Sequence, residues 1–252
     1  MSKYIIANWK MNGTKTEAEA LVSELVSNAN NLPVQLPQVV ICPPYLYLIP
    51  VLKILKGLPF EGGAQDCSPE TNGAFTGDVS VSQLIDIGCT YVIVGHSERR
   101  RYHLETNALI RRKANAAIHG RLKPIICIGE TEEEYRKEKT LSVLSEQLEN
   151  CLPSSGTHSD FLIAYEPVWA IGTGLTPTLE AVEKTMNFLK ERLRIYIPNG
   201  DLVPVLYGGS VNAANASLFL SLPYVDGLLV GGASLRADDF WKIIMAAERQ
   251  DL

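Results

Sequence analysis

At 252 residues, 46% hydrophobic and 20% charged, the chain has material for one large core or two small ones, and its composition excludes a disordered protein. A formal net charge of -5 argues against general affinity for nucleic acid or an anionic membrane, so any bound anion has to be held by local groups. The 5 cysteines are scattered, with no Cys-x-x-Cys pair and no His at zinc-ligand spacing, which reads as reduced thiols and no metal centre. The apolar stretch after Met1 is too short for a secretory signal, and no segment offers an uncharged span of membrane length, so the expected setting is the cytoplasm.

From Tyr4 onward, short apolar runs alternate with longer amphipathic segments, the pattern of repeated βα units around a parallel sheet. Predicted strands cover 4–10, 38–42, 60–65, 91–94, 123–128, 161–165, 203–207 and 227–230. The clearest predicted helices are 16–28, 105–118, 131–150, 179–196 and 238–247. Eight such units close a barrel, so the expected fold is α/β, a single (β/α)8 barrel of the TIM type occupying residues 1–252 as one domain. The polar stretch 66–78 is too long for a turn, and Phe75 among small residues suits a tip that docks into a partner subunit. The acidic run 130–134 reads as the front of a helix, complementing its dipole. Arg99-Arg100-Arg101 and Arg111-Arg112-Lys113 read as solvated or paired surface groups.

In a barrel the carboxyl ends of all strands meet at one face, which brings distant residues together. The first predicted strand ends in Asn8-Trp9-Lys10, the fourth runs into Gly95-His96-Ser97-Glu98, and the sixth ends at Glu166. Each alone also reads as an ordinary strand-end polar group, His96 as a structural histidine and Glu166 as a solvated turn residue. Together they place an amide, an ammonium, an imidazole and a carboxylate at one rim, the inventory of an acid–base site. Pro167 stops the strand, and Val168, Trp169, Ala170, Ile171, Gly172, Thr173 and Gly174 give an apolar, glycine-punctuated segment fit to fold over a ligand. Strand seven ends in Gly208-Gly209-Ser210 and strand eight in Gly231-Gly232, pairs whose backbone N–H groups can approach a phosphate closely.

These segments, with Asn8 to Asn12, Gly73 to Gly77 and Tyr165 to Gly174 in the same order and spacing, resemble the triosephosphate isomerases from end to end. The resemblance implies an intramolecular aldose–ketose isomerase of glycolysis and gluconeogenesis that interconverts dihydroxyacetone phosphate and D-glyceraldehyde 3-phosphate through an enediolate, with no cofactor and no metal. It implies Glu166 as base, His96 as neutral electrophile, and Lys10 and Asn8 as groups that orient and offset the substrate charge. Ser97 and Glu98 would support them. Gly172, Ser210, Gly231 and Gly232 would hold phosphate, and Ile171 and Leu229 would press on Glu166 beneath a closing 167–174 lid. The family is homodimeric through the 66–78 loop, which implies that Gln65, Phe75 and Thr76 face the partner. Asp66, Asp78 and Leu104 depart from the usual family residues, which bears on dimer contacts and stability. Two other readings fit the residues less fully: a different phosphate-binding barrel enzyme, such as an aldolase with Lys10 as nucleophile, and a non-catalytic scaffold that kept the fold.

Overall fold

Along Tyr4–Asn8 (β1), Ile6 joins one buried cluster while Ile5 and Ala7 join another. The same split recurs around the sheet, with Val40, Ile93, Ile125, Ala164 and Leu206 beside Ile6, and Val39, Val92, Ile126, Ile163 and Val205 packed with the helices. This is the period of two expected of strands buried on both faces. In the computed structural model, which describes residues 3–30, 36–172 and 175–248, the strands close into a barrel of eight parallel members in sequence order.

The chain runs from β1 through α1 (Lys15–Asn30), β2 (Gln38–Cys42), α2 (Tyr45–Leu55) and β3 (Phe60–Ala64). It continues with α3 (Val81–Asp86), β4 (Tyr91–Val94), α4 (Ser97–Tyr102), α5 (Asn107–His119) and β5 (Lys123–Ile128). Next come α6 (Glu132–Arg136), α7 (Thr140–Cys151), β6 (Leu162–Tyr165) and α8 (Leu179–Tyr196). The last elements are β7 (Val205–Tyr207), α9 (Ala216–Leu220), β8 (Gly227–Val230) and α10 (Ala237–Glu248). β1 pairs with β2 on one side and β8 on the other, Ala7 lying opposite both Ile41 and Val230, which closes the ring.

Where structure and sequence expectation differ, the cause is local. The helix expected over 131–150 is two, because Glu138 takes a left-handed backbone (φ 56) and ends α6. α2 is almost wholly apolar and contains Pro50, so it lacks the amphipathic period that marks a helix. Strand one stops at Asn8 rather than reaching residue 10, because Lys10 has a positive φ of 53 and turns the chain. The paired glycine after β8 opens a short 3-10 turn (Gly232–Leu235), whereas α9 begins only at Ala216, well past Gly208-Gly209.

Lys113, read as a solvated or paired surface group, and Glu130, read as part of a helix front, are both buried. Glu130 has no exposure and Lys113 is 4% exposed. Lys113 donates to Asp66 at 2.7 Å and to Glu105 at 2.6 Å, while Arg99 reaches the same two carboxylates at 2.8 and 2.7 Å. Burial raises the Asp66 carboxyl further than Lys113 and Arg99 can offset. Burial also acts to raise Glu105, but the Lys113 and Arg99 contacts outweigh it and hold that group below the usual carboxylate range. This cluster fastens the root of the 66–78 loop to α4 and α5. All five cysteines are buried and unpaired, and burial pushes the Cys127 thiol well up, which makes it a packing group rather than a thiolate. No helix among the described residues is long and apolar enough to cross a membrane.

Candidate active site

Strand parity determines which side chains face the barrel axis at its carboxyl end. Continuing β1 past Ile6 puts Asn8 inward, and continuing β6 past Leu162 and Ala164 puts Glu166 inward. His96 is out of phase with Tyr91 and Ile93 and needs a correction to its aim. Gly95 supplies it with φ 69, a conformation that a side chain disfavours, and a Cβ there would lie 2.7 Å from Ile110 Cδ1. The ring then caps the start of α4, its Nδ1 accepting the Glu98 backbone N–H at 3.2 Å. With Nδ1 accepting, Nε2 is the ring nitrogen left to donate into the cavity.

That Nε2 lies 2.9 Å from Glu166 Oε1, and the Ser97 backbone N–H donates to Glu166 Oε2 at 3.1 Å. Glu166 is 2% exposed. Burial acts to raise its carboxyl, but the His96 ring, the Ser97 N–H and the nearby Lys10 outweigh burial and leave it below the ordinary value. Close packing of β5 on β6 makes this position possible. Glu166 N–H donates to Ile128 O at 2.8 Å, and a Cβ on Gly129 would fall 1.7 Å from Glu166 O, so only glycine fits there.

Lys10 is held in its strained turn at both ends. Its N–H donates to Asn8 Oδ1 at 3.1 Å, and Gln65 Nε2 donates to its carbonyl at 2.8 Å and to Cys42 O at 2.9 Å. The ammonium reaches Glu98 Oε1 at 2.7 Å. Asn8, Lys10, His96 and Glu166 share a cavity of about 250 Å³ with Ile171, Gly172, Ser210, Leu229, Gly231 and Gly232. Gly208, Gly209, Val211 and Asn212 also line it. Among the described residues, no three His, Cys, Asp or Glu side chains converge as metal ligands do.

Beyond Glu166 the chain forms a 3-10 turn over Val168–Ala170, started by Pro167 and tied by Ala170 N–H to Pro167 O at 2.8 Å. Ser210 donates its hydroxyl to Ala170 O, linking this turn to the loop after β7. Trp169 Nε1 donates to Glu130 Oε1 at 2.9 Å, and Val168 N–H donates to Glu130 O at 3.1 Å. Gly172 is exposed, while Thr173 and Gly174 lie outside the described residues. Glu130, which holds the turn after Glu166 through Trp169 and Val168, is the neighbour of the site that sequence reasoning missed. It stands two positions beyond the end of β5, so the strand-end rule that singled out Glu166 could have found it. Its place in an acidic run concealed it.

Gln65, Phe75 and Thr76 lie apart from this cavity. Gln65 lines a second cleft of about 650 Å³ that shares Asn8, Lys10 and His96 with the first. Phe75 is 47% exposed and Thr76 is exposed, at the tip of a loop closed by Ser68 N–H to Val79 O at 2.8 Å and by Ser68 Oγ to Asp78 at 2.8 Å.

A closed (β/α)8 barrel that gathers a buried carboxylate, an imidazole and an ammonium around one glycine-lined cavity at its carboxyl face defines a barrel enzyme of the acid–base class. The family model described as triosephosphate isomerase matches residues 3–247. A triosephosphate isomerase of Acidiphilium cryptum is 44% identical across 99% of this chain and 100% of its own length. That of Albidiferax ferrireducens is 43% identical across 97% and 98%. The crystal structure of triosephosphate isomerase from Bartonella henselae superposes with a TM-score of 0.89 at 36% identity, covering 98% of this chain and 99% of that one. The chain belongs to the triosephosphate isomerase family.

Proposed function

We propose that the chain is a single catalytic domain that interconverts dihydroxyacetone phosphate and D-glyceraldehyde 3-phosphate, with Glu166 as the base. The observation that carries this is the convergence of Glu166, His96 and Lys10 on one cavity whose far wall is glycine backbone. Removing a proton next to a carbonyl creates an enediolate, so donors have to stand where negative charge develops. His96 Nε2–H is such a donor. It is held by Glu166 in the resting state and becomes available when substrate draws the carboxylate away. Lys10 supplies positive charge, Asn8 orients the oxygens, and Ser97 and Glu98 position Glu166 and His96 through the contacts above.

The N–H groups of Gly172, Ser210, Gly231 and Gly232 take the phosphate. An enediolate β to a phosphate can expel it, and water would hasten decay. The segment from Pro167 onward serves as the lid that excludes solvent, with Ile171 and Leu229 closing on Glu166. An aldolase reading has less support, since its only candidate nucleophile, Lys10, is engaged with Glu98 at 2.7 Å. A coupled assay in which glyceraldehyde 3-phosphate formation is read by its dehydrogenase tests the function. Substrate-dependent signal is expected, and its absence with intact folded protein would contradict it.

The functional unit is a homodimer in the cytoplasm. The cleft of about 650 Å³ beside Lys10 and His96, rimmed by Met11 (95% exposed) and Tyr102 (67%), fits the 66–78 loop of a second copy. Thr76→Arg would force a charge into that cleft, so the dimer should dissociate at micromolar concentration and activity should fall with it. Sedimentation velocity checks this, and an unchanged dimer would count against the assignment.

A further inference from the structure

Trp169 is held from outside the catalytic cavity. Besides its bond to Glu130, its ring stacks on Tyr135, with centroids 4.2 Å apart and planes inclined by 24°. Tyr135 is 44% exposed on α6, a short helix fixed at its start by a capping box between Thr131 and Glu134. Glu130 is fully buried and also receives the Tyr165 hydroxyl at 3.2 Å, so the floor beneath Trp169 is rigid while Tyr135 covers it from the solvent side. In this arrangement Gly172 is exposed, and a Cβ there would meet nothing within 4 Å. Ile171 and Gly172 border the catalytic cavity, and the space beside Gly172 leaves the segment room to move further over it.

We propose that Tyr135 is a positioning residue for the isomerase reaction: its stack on Trp169 stabilises the open position of the lid and sets how readily the lid closes and reopens. This rests on the reading of the segment from Pro167 as a lid. The stack contributes in the open state, so a ligand that draws the lid down has to break it, and losing it shifts the resting population toward closure. A variant that lacks a contact should then bind ligand more tightly and release product more slowly.

The test titrates sn-glycerol 3-phosphate, a substrate-sized phosphate with no proton next to a carbonyl, into wild type, Tyr135→Ala and Tyr135→Phe by calorimetry, with steady-state turnover measured in parallel. Tyr135→Ala is expected to bind about 2- to 10-fold more tightly and to show lower kcat together with lower KM. Tyr135→Phe keeps the ring and is expected to match wild type. Unchanged or weaker binding by Tyr135→Ala would overturn the proposal, as would Tyr135→Phe behaving like Tyr135→Ala. A merely structural role for Tyr135 would loosen binding rather than tighten it. Wild type that binds glycerol 3-phosphate but does not turn over dihydroxyacetone phosphate would defeat the functional reading instead, since the calorimetric comparison does not depend on turnover.

Discussion

Glu166→Gln should lower kcat by about 100- to 10,000-fold, the usual contribution of a positioned general base, while leaving the fold intact. The amide oxygen can keep one of the two contacts that the carboxylate accepts on separate oxygens, from the Ser97 N–H or from the His96 Nε2–H, and the lost one should lower the thermal midpoint by a few degrees without unfolding the protein. Near wild-type turnover in a pure sample would remove Glu166 from the mechanism. The pH profile adds a second check. Because the folded enzyme holds this carboxyl below 4.5, the free enzyme keeps its base ionised down to that pH, and the acid limb of kcat/KM assigned to Glu166 should lie below it. The same shift makes the ionised carboxylate a source of stability that is present above pH 4.5 and lost as pH falls through the lowered folded value. The substrate phosphate itself titrates at about pH 6 and adds its own limb, so the direct check is an NMR titration of the Glu166 carboxyl in the free enzyme, where a midpoint above 4.5 would contradict this electrostatic account.

Lys113→Met should cost about 3–5 kcal/mol of stability, the range found when one partner is removed from a buried charge pair. The shape is roughly conserved, but Asp66 and Glu105 would then share Arg99 alone within an enclosed site. In the wild type Glu105 titrates below the usual range, so its stabilising contribution is present above 4.5 and fades as pH falls through the lowered folded value. Removing Lys113 raises that carboxyl, so the variant's deficit should shrink on acidification. Urea unfolding at pH 7 and at pH 4 reads both effects. A deficit below about 1 kcal/mol, the level of an exposed pair, would mean that the cluster is not load-sharing as drawn.

The barrel was legible because it depends on counting. Eight apolar runs separated by segments long enough for a crossover can close a parallel sheet, and the strand-end rule then brings Asn8 and Glu166 to one rim, while their inward aim is read from the clusters on the two faces of the strands. His96 was legible only as a strand-end residue. Its tautomer depends on the Glu98 N–H, and its aim on Gly95, both of which require coordinates. The burial of Glu130, read as part of a helix front, and of Lys113, read as a surface group, was hidden for one shared reason. A charge in a run of charges has the solvated face as its default, and only the fold reveals that Trp169 and Tyr165 converge on one, and Asp66 and Glu105 on the other. The α6–α7 break was equally hidden, because Glu138 is no glycine and nothing in its type announces a left-handed turn.

Solvent exchange tests the central claim most directly. Dihydroxyacetone phosphate turned over in D2O by the wild-type protein should give glyceraldehyde 3-phosphate bearing solvent deuterium on the carbon next to the carbonyl, because a carboxylate that takes up a proton can trade it with water before returning it. In Glu166→Gln this labelling should fall together with turnover. Product free of solvent deuterium from the wild type, or labelling at an undiminished rate in Glu166→Gln, would contradict an enediolate mechanism with Glu166 as its base.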